Sequence, residues 1–218
     1  MSNRVFAKLC KPRITKFAPT LVGQSVPRRG TDNSAKTGNF IDQLVKNWAG
    51  ASVGSSTVDI ENFGIEIKSK DTESDSDWTI GSMTLDDIIS TPYTDSSIYQ
   101  KLQALFLVEY NNSLSIITSA NLYYLDNDDI QTLIQAGYEA ARQEMISNCL
   151  CSPTKEQLFD FGEKISHNYQ KYQRVSGTTG FGFERGLSNN SFHFRITTRC
   201  MRKLVKLSVA NNNSCFVF

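Results

Sequence analysis

One short stretch, residues 56–70, constrains the fold more than any other part of the sequence. A turn signal at 62–64 is followed there by alternating apolar and charged side chains. This alternation predicts a β-strand entered from a hairpin, because side chains two residues apart in a strand lie on the same face. Glu66 and Lys68 are expected to share one face, while the isoleucines beside them anchor the other face in a core. Closure of the hairpin would bring Asp59 alongside Glu66.

Two carboxylates beside one ammonium group favour a site for a divalent metal ion. Mg²⁺ prefers oxygen ligands and keeps several waters, so Asp59 and Glu66 together with a substrate phosphate satisfy it. Lys68 can orient or deprotonate a water molecule, or stabilise charge in the transition state. These groups suit phosphodiester hydrolysis. The alternative is an exposed hairpin with ordinary surface charges.

The spacing Asp-(six residues)-Glu-x-Lys is the signature of the PD-(D/E)xK nucleases, although Val58 stands where a proline usually precedes the aspartate. Further segments match in order along the chain: Trp48-Ala-Gly-Ala-Ser52, Gly54-Ser-Ser, Phe63-Gly-Ile-Glu66-Ile-Lys68, Tyr99-Gln-Lys101 and Ser191-Phe-His-Phe-Arg195. Together they resemble the MutH family, which comprises the mismatch-repair GATC endonuclease and related restriction enzymes.

This resemblance implies a fold and an activity. The expected fold is an α/β, restriction-endonuclease-like mixed central sheet flanked by helices, with two lobes around a DNA cleft. We expect a basic irregular N-terminal arm at 1–36, a catalytic lobe at 37–125 and a DNA-reading lobe at 126–218. The implied enzyme is a Mg²⁺-dependent, sequence-specific double-stranded DNA endonuclease that leaves 5′-phosphate ends. Lys101 lies in the segment similar to the family's second lysine and is expected to hold the scissile phosphate.

Four side chains in the last third of the chain are candidates for DNA binding. His193 and Arg195 alternate with phenylalanines, so they are expected on one face of a strand, within reach of base edges or phosphates. Arg185 is the last residue of a glycine-rich aromatic segment whose composition predicts a hairpin. Arg199 falls in a predicted helix that continues to about residue 210. The resemblance implies a GATC-like target, but His193 stands where the family has an aromatic hydroxyl, so the target stays open.

Lys46 is the clearest departure from the family pattern. The related enzymes carry an acidic residue two positions before the tryptophan, and this sequence has a lysine there. Three explanations are open: the acid is dispensable, Asp42 or Gln43 one turn earlier replaces it, or Lys46 contacts a phosphate. This departure allows for a weaker enzyme or for one with an altered use of metal.

Charge is distributed unevenly, although the 218-residue chain has a net charge of only +1. Residues 1–36 hold eight basic side chains against Asp32, and residues 174–206 hold seven against Glu184. Basic ends around an acidic middle are expected when phosphates and a metal ion are bound in different places. The alternative is a pair of solvated basic tails.

The cysteine spacing, the apolar runs and the remaining periodic patterns predict the cellular compartment and the other helices and strands. The five cysteines show no paired metal-ligand spacing, so free thiols are expected, and no apolar run reaches the ~20 residues of a membrane helix. We therefore expect a cytoplasmic protein that does not enter membranes. The sequence predicts one short element at 5–9, a helix at 39–48 and a strand at 78–83 in the same sheet as the strand with Glu66. After these it predicts a buried strand at 105–110, a strand at 114–119 joined to it by a turn, the longest helix at 126–148, and another helix from 152.

Three functions fit these observations. A type II restriction enzyme is favoured, because no partner-docking signal is visible; it would act as a monomer or transient dimer on DNA, beside a methyltransferase for the same site. A non-catalytic DNA-binding protein, or a partner-dependent nicking protein of the mismatch-repair type, is the alternative that Lys46 motivates. A nuclease for structured ends, single strands or RNA is the third.

Overall fold

The computed structural model describes residues 3–27, 34–50, 58–148, 180–185, 191–210 and 214–215. The described helices are α1 (Asn3–Leu21), α2 (Ser34–Ala49), α3 (Leu85–Ser90), α4 (Ser97–Lys101), α5 (Asp128–Asn148) and α6 (Thr198–Ala210). The described strands are β1 (Glu66–Asp71), β2 (Trp78–Thr84), β3 (Ala104–Asn111), β4 (Ile116–Tyr124), β5 (Phe181–Arg185), β6 (Ser191–Ile196) and β7 (Ser214–Cys215). The predicted α/β class is confirmed.

The described strands form two small sheets in place of the single central sheet that the sequence predicted. One sheet has the order β1-β3-β4-β7, and the other has the order β2-β6-β5. Strand β2, expected in the same sheet as β1, instead pairs antiparallel with β6 in the second sheet. Only the β1–β3 pair is parallel, so both sheets are mostly antiparallel in the described part of the chain.

The chain divides into two compact units. The first unit comprises Met1–Asp75, Gln100–Asn127 and Val205–Phe218, and the second comprises Ser76–Tyr99 and Asp128–Leu204. The expected division into a catalytic and a DNA-reading lobe concerns function and stays a prediction.

The core of the first unit lies where helices cover the β1-β3-β4-β7 sheet. Strand β3 is almost continuously apolar and buried, as a central strand with both faces covered should be. Helix α1 contributes a buried stripe at helical spacing, and Phe17 stacks on Trp48 of α2 with ring centroids 3.9 Å apart. Ile65 and Ile67 are buried in the same core, as the alternation predicted.

The expected irregular course of the N-terminal segment is wrong. Residues 3–21 form one helix despite Pro12 and Pro19 within it. Both prolines lie on its exposed side, whereas Ile14, Phe17 and Leu21 are buried. Burial of this stripe outweighs the local penalty of the prolines.

Helix α2 is present as expected but begins five residues before the predicted start, at Ser34. The buried Thr37 hydroxyl donates a hydrogen bond to the carbonyl of Pro27 at 2.9 Å, which fixes the first turn to the preceding segment. Asn39 is therefore inside the helix and does not cap it.

The second unit packs α5 and α3 on the β2-β6-β5 sheet. Tyr138 of α5 contacts Phe183 and Phe194, with ring centroids 5.5 and 5.7 Å apart. Thr197, one of the two residues expected to cap the last helix, accepts a hydrogen bond from the Cys200 N–H at 3.1 Å. The start of α5 lies two residues after the predicted one.

Some expectations fall outside the described residues. These are the helix from residue 152, most of the glycine-rich segment before Gly180, and the side chains of the cysteines other than Cys200. Cys200 is a free thiol, as expected, and burial raises its pKa to about 11. Among the described helices, none is long and apolar enough to cross a membrane.

Candidate functional site

A tight hairpin precedes β1 and places Asp59. The backbone groups of Ile60 and Ile65 pair through two hydrogen bonds of 2.9 and 3.3 Å around a single turn of 3₁₀ helix, Glu61–Phe63. Gly64 closes the turn with φ +62°, a conformation that residues with a Cβ rarely adopt. As a result, one carboxylate oxygen of Asp59, Oδ2, accepts the Ile67 N–H at 2.9 Å.

Glu66 is the most enclosed charged group of the site. Its side chain is 1% exposed, and one of its oxygens, Oε1, lies 2.7 Å from Lys68 Nζ and 2.8 Å from Lys101 Nζ. Lys68 follows it on the same face of β1. Lys101 arrives from the end of α4, just before β3, and the parallel pairing of Glu66 with Leu105 brings that segment next to it. The structure thus brings together three of the four residues predicted to be catalytic.

The fourth residue, Asp59, is bound to the backbone of β1 through Ile67 and is paired with Lys46 of α2. The Lys46 ammonium group donates to Asp42 Oδ2 at 2.8 Å and to Asp59 Oδ1 at 3.0 Å, and its side chain is 12% exposed. Burial lowers the pKa of Lys46, but the hydrogen bonds and charges of the two aspartates raise it further, so the net shift is upward. Lys46 is therefore a protonated, fixed cation at neutral pH.

The oxygen atoms of Asp59 and Glu66 are of the type that Mg²⁺ binds. Glu66 Oε2 is buried and has no hydrogen-bond partner among the described residues, so a ligand of this oxygen would satisfy it. Asp59 uses one lone pair of each oxygen, and a carboxylate oxygen has a second. Within the described ranges, no group of three or more His, Cys, Asp or Glu side chains is placed to hold a metal ion. Two carboxylates and several waters are nevertheless sufficient for Mg²⁺.

The predicted DNA-reading strand, β6, has the alternation expected of it. Phe192 and Phe194 are fully buried, and His193 and Arg195 lie on the opposite, partly exposed face. His193 Nδ1 is 2.7 Å from the Ser82 hydroxyl on the neighbouring strand β2. One ring nitrogen is thus already hydrogen-bonded within the protein.

Arg195 is held by two neighbouring strands of its sheet. Its guanidinium pairs with the Glu184 carboxylate of β5 and donates to the Thr79 hydroxyl of β2 at 2.8 Å. The head group is therefore oriented by the protein itself, and contact with DNA would require Arg195 to use its remaining N–H groups or to leave Glu184.

Helix α6 carries Arg199 in a larger basic stripe. Four exposed basic side chains follow one another at the spacing of a single helix face, and these are Arg199, Arg202, Lys203 and Lys206. The opposite face is buried through Met201, Leu204 and Ser208. The backbone of Arg185 ends β5, and its side chain lies outside the part of the chain that the structure describes.

Sequence reasoning missed the position of Lys46 between two carboxylates. A signal was present, because an aspartate four residues before a lysine on a helix is a favourable pair. The contact with Asp59 depends on how α2 packs against the hairpin, and no local pattern encodes that. The two partners of Arg195 were missed as well: Thr79 lies 116 residues away in sequence, and Glu184, 11 residues away, depends on the register of the β5–β6 pair.

No protein-family model matches the sequence, and no curated protein matches it either. The resemblance to the MutH family therefore rests on the sequence motifs alone.

Proposed function

We propose that this protein is a Mg²⁺-dependent, sequence-specific endonuclease for double-stranded DNA, of the type II restriction class, with a restriction-endonuclease-like fold. The observation that supports it most is the convergence of Lys68 and Lys101 on Glu66, next to the carboxylate of Asp59. Lys101 lies 35 residues after Glu66 in the sequence, and the proposal from the motifs requires the two to meet.

In this proposal Asp59 and Glu66 would hold the metal ion, which lowers the pKa of a bound water and offsets negative charge on the phosphate. Lys68 is fixed by Glu66 beside the reacting phosphate, where it orients or deprotonates the attacking water or stabilises the developing charge. Lys101, fixed by the same oxygen, binds a non-bridging phosphate oxygen. The hydrogen bond from the Ile67 N–H keeps the Asp59 carboxylate in one orientation.

The DNA side of the proposal rests on the basic stripe of α6 and on the polar face of β6. The exposed cations from Arg199 to Lys206 would contact phosphates without reading sequence. His193 and Arg195 would read base edges, with Ser82 and Glu184 setting their orientation.

The first test compares Lys68→Ala with wild type on unmethylated and GATC-methylated phage DNA, with Mg²⁺ or EDTA. We expect discrete Mg²⁺-dependent fragments from wild type and at least about a hundredfold slower cutting by the variant, at nearly unchanged DNA affinity. Glu66 keeps Lys101 as a partner in this variant, so the protein should still fold.

Lys70→Ala is the matched control, because it removes the same charge from the same face of β1, two residues further on. The control should cut as wild type does. Equal cutting by Lys68→Ala would refute the assignment of the active site, and intact DNA in every lane would turn attention to nicking of supercoiled plasmid.

The contacts of Lys46 favour a second candidate function, that of a DNA-binding protein of the same fold that does not cut DNA. A cation already fixed between Asp42 and Asp59 neutralises charge that a metal site needs. Binding of duplex DNA without cleavage in Mg²⁺ and in Mn²⁺ would support this candidate over the nuclease.

A further inference from the structure

The ion pairs of the candidate site form two groups: Glu66 pairs with Lys68 and Lys101, and Lys46 pairs with Asp42 and Asp59. Each contact that establishes this is 3.0 Å or shorter. The carboxylates are those of Asp42, Asp59 and Glu66, and the ammonium groups are those of Lys46, Lys68 and Lys101. Three negative and three positive charges thus balance across the two groups, and Asp59 already has a cation beside it.

Lys46 differs from the other two lysines in the oxygen atoms it contacts. Lys68 and Lys101 share a single oxygen of Glu66 and leave its second oxygen without a partner among the described residues. Lys46 contacts Asp59 Oδ1, and the backbone N–H of Ile67 contacts Oδ2, so both oxygens of Asp59 already accept a hydrogen bond. A cation that binds Asp59 must therefore approach the Lys46 ammonium closely.

The ammonium group also has little freedom to move away. It is held by two acceptors at once, and its stem leaves α2 beside Val45, which is buried in the core. A divalent cation at Asp59 would meet a like charge within a few ångströms, and the repulsion is strong where little water intervenes.

We infer that Lys46 is a resident counter-ion of Asp59 that competes with the divalent cation and makes metal binding by the free protein weak. This inference rests on the proposed metal site and adds a residue that sets its affinity. Lys46 acts through Asp59, so it is a positioning residue and takes no part in the reaction itself.

Calorimetric titration of the full chain with Mn²⁺, without DNA, tests the inference. Lys46→Gln removes the charge and keeps a polar side chain, and we expect its dissociation constant to be at least about tenfold lower than that of wild type. Lys46→Met, a second neutral variant, should show the same gain if Lys46→Gln does not fold. Lys46→Arg keeps the charge and should bind Mn²⁺ as weakly as wild type.

Two controls separate the local effect from a change in net charge. Lys16→Gln removes an exposed charge of α1 and should leave Mn²⁺ affinity within about twofold of wild type, because exposed charges are screened by salt. Adding Asp59→Asn to Lys46→Gln should abolish the gain, since the gain runs through Asp59.

The outcomes distinguish this inference from the proposed function. Unchanged or weaker Mn²⁺ binding by both neutral variants would overturn the inference. A gain in Mn²⁺ affinity that persists when Asp59→Asn is added would overturn it as well. Both outcomes would leave the nuclease proposal standing. A tenfold gain in a protein that never cuts DNA would support the inference and count against the nuclease. Absence of Mn²⁺ binding in every variant would overturn both.

Discussion

Glu66 shows how strongly a single residue of the site depends on its surroundings. Its side chain is 1% exposed, and two ammonium groups meet at one of its oxygens. Removal of one partner from a buried ion pair costs about 3–5 kcal/mol, because the remaining charge stays buried. Truncation of Glu66 would leave Lys68 and Lys101 facing each other, so lost activity would not separate chemistry from folding. Lys68 is the better target, since its removal leaves Glu66 paired.

Two helical glycines differ in the space around them, and alanine should have opposite effects at the two positions. A Cβ at Gly38 would lie 3.4 Å from the Ser69 hydroxyl oxygen, an ordinary contact, so Gly38→Ala should stabilise by about 0.5–1 kcal/mol. A Cβ at Gly137 would lie 2.4–2.8 Å from Phe181, including its Cβ. Gly137→Ala should therefore destabilise by about 1–3 kcal/mol despite the better helix propensity.

Thermal unfolding of the two variants measures this difference. A shift of about 2–4 °C in Tm is expected for each kcal/mol in a chain of this size. Each variant serves as the control for the other, because the substitution is the same. A rise in Tm for Gly137→Ala would show that Phe181 moves aside at little cost.

At the residue scale, local pattern predicted part of the candidate site. The period of two in β1 placed Glu66 and Lys68 on one face, and the turn placed Asp59 beside the strand. These relations span fewer than ten residues. The meeting of Lys46 with Asp59 depends on the packing of a helix against a hairpin, so the sequence pattern did not contain it.

At the scale of elements, helix α1 contains two prolines that disfavour a helix and a buried apolar stripe that favours one. Pro12 lacks the N–H that would bond to the carbonyl of Lys8, and prolines in a sequence therefore predict a break in a helix. The signal for a helix was the spacing of Ile14, Phe17 and Leu21, which recur on one face. Tertiary burial decided the outcome, and Arg13 adds a contact 5.7 Å from the ring of Phe63 in the hairpin.

Pro12→Ala should therefore stabilise the protein. The alanine restores a backbone hydrogen bond on an exposed face, and a proline inside a helix costs about 3 kcal/mol, of which about 1 kcal/mol is offset by its effect on the unfolded chain. We expect a net gain of about 1–2 kcal/mol in chemical denaturation. Pro27→Ala, outside the helix, is the control and should give no gain. A loss of stability for Pro12→Ala would mean that the proline ring makes contacts worth more than the hydrogen bond.

At the scale of the whole molecule, the two sheets were beyond local prediction. Alternation identifies a strand and its buried face but not its partner. Strand β2 pairs with β6, more than a hundred residues later, as the Ser82–His193 contact shows. The pattern of β2 therefore predicted a strand correctly, but the expectation that it belongs to the same sheet as β1 was wrong.

If the proposed function is right, the basic stripe of α6 contacts phosphates, and DNA binding should then weaken as the salt concentration rises. Each phosphate contact adds about −0.9 to the slope of log affinity against log salt concentration. Replacing both Arg202 and Lys203 by Gln should therefore reduce the magnitude of the slope by about 2, as measured by fluorescence anisotropy on duplex DNA. The charge-conserving exchanges Arg202→Lys and Lys203→Arg should keep it. An unchanged slope in the Gln variant would remove this stripe from the DNA interface.

The three-segment composition of the first unit has a consequence for its biosynthesis. Strand β7 pairs with β4, and the Ser208 hydroxyl donates to the carbonyl of Tyr124 at 2.8 Å. At about 5–20 residues per second, the ribosome delivers Ser214 on the order of ten seconds after Tyr124. During that interval Leu122 and Tyr123 lack their β7 partners, whereas Ile116 at the start of β4 can already pair with Ser25. The open part of this edge is where the nascent chain could pair with a strand of another molecule.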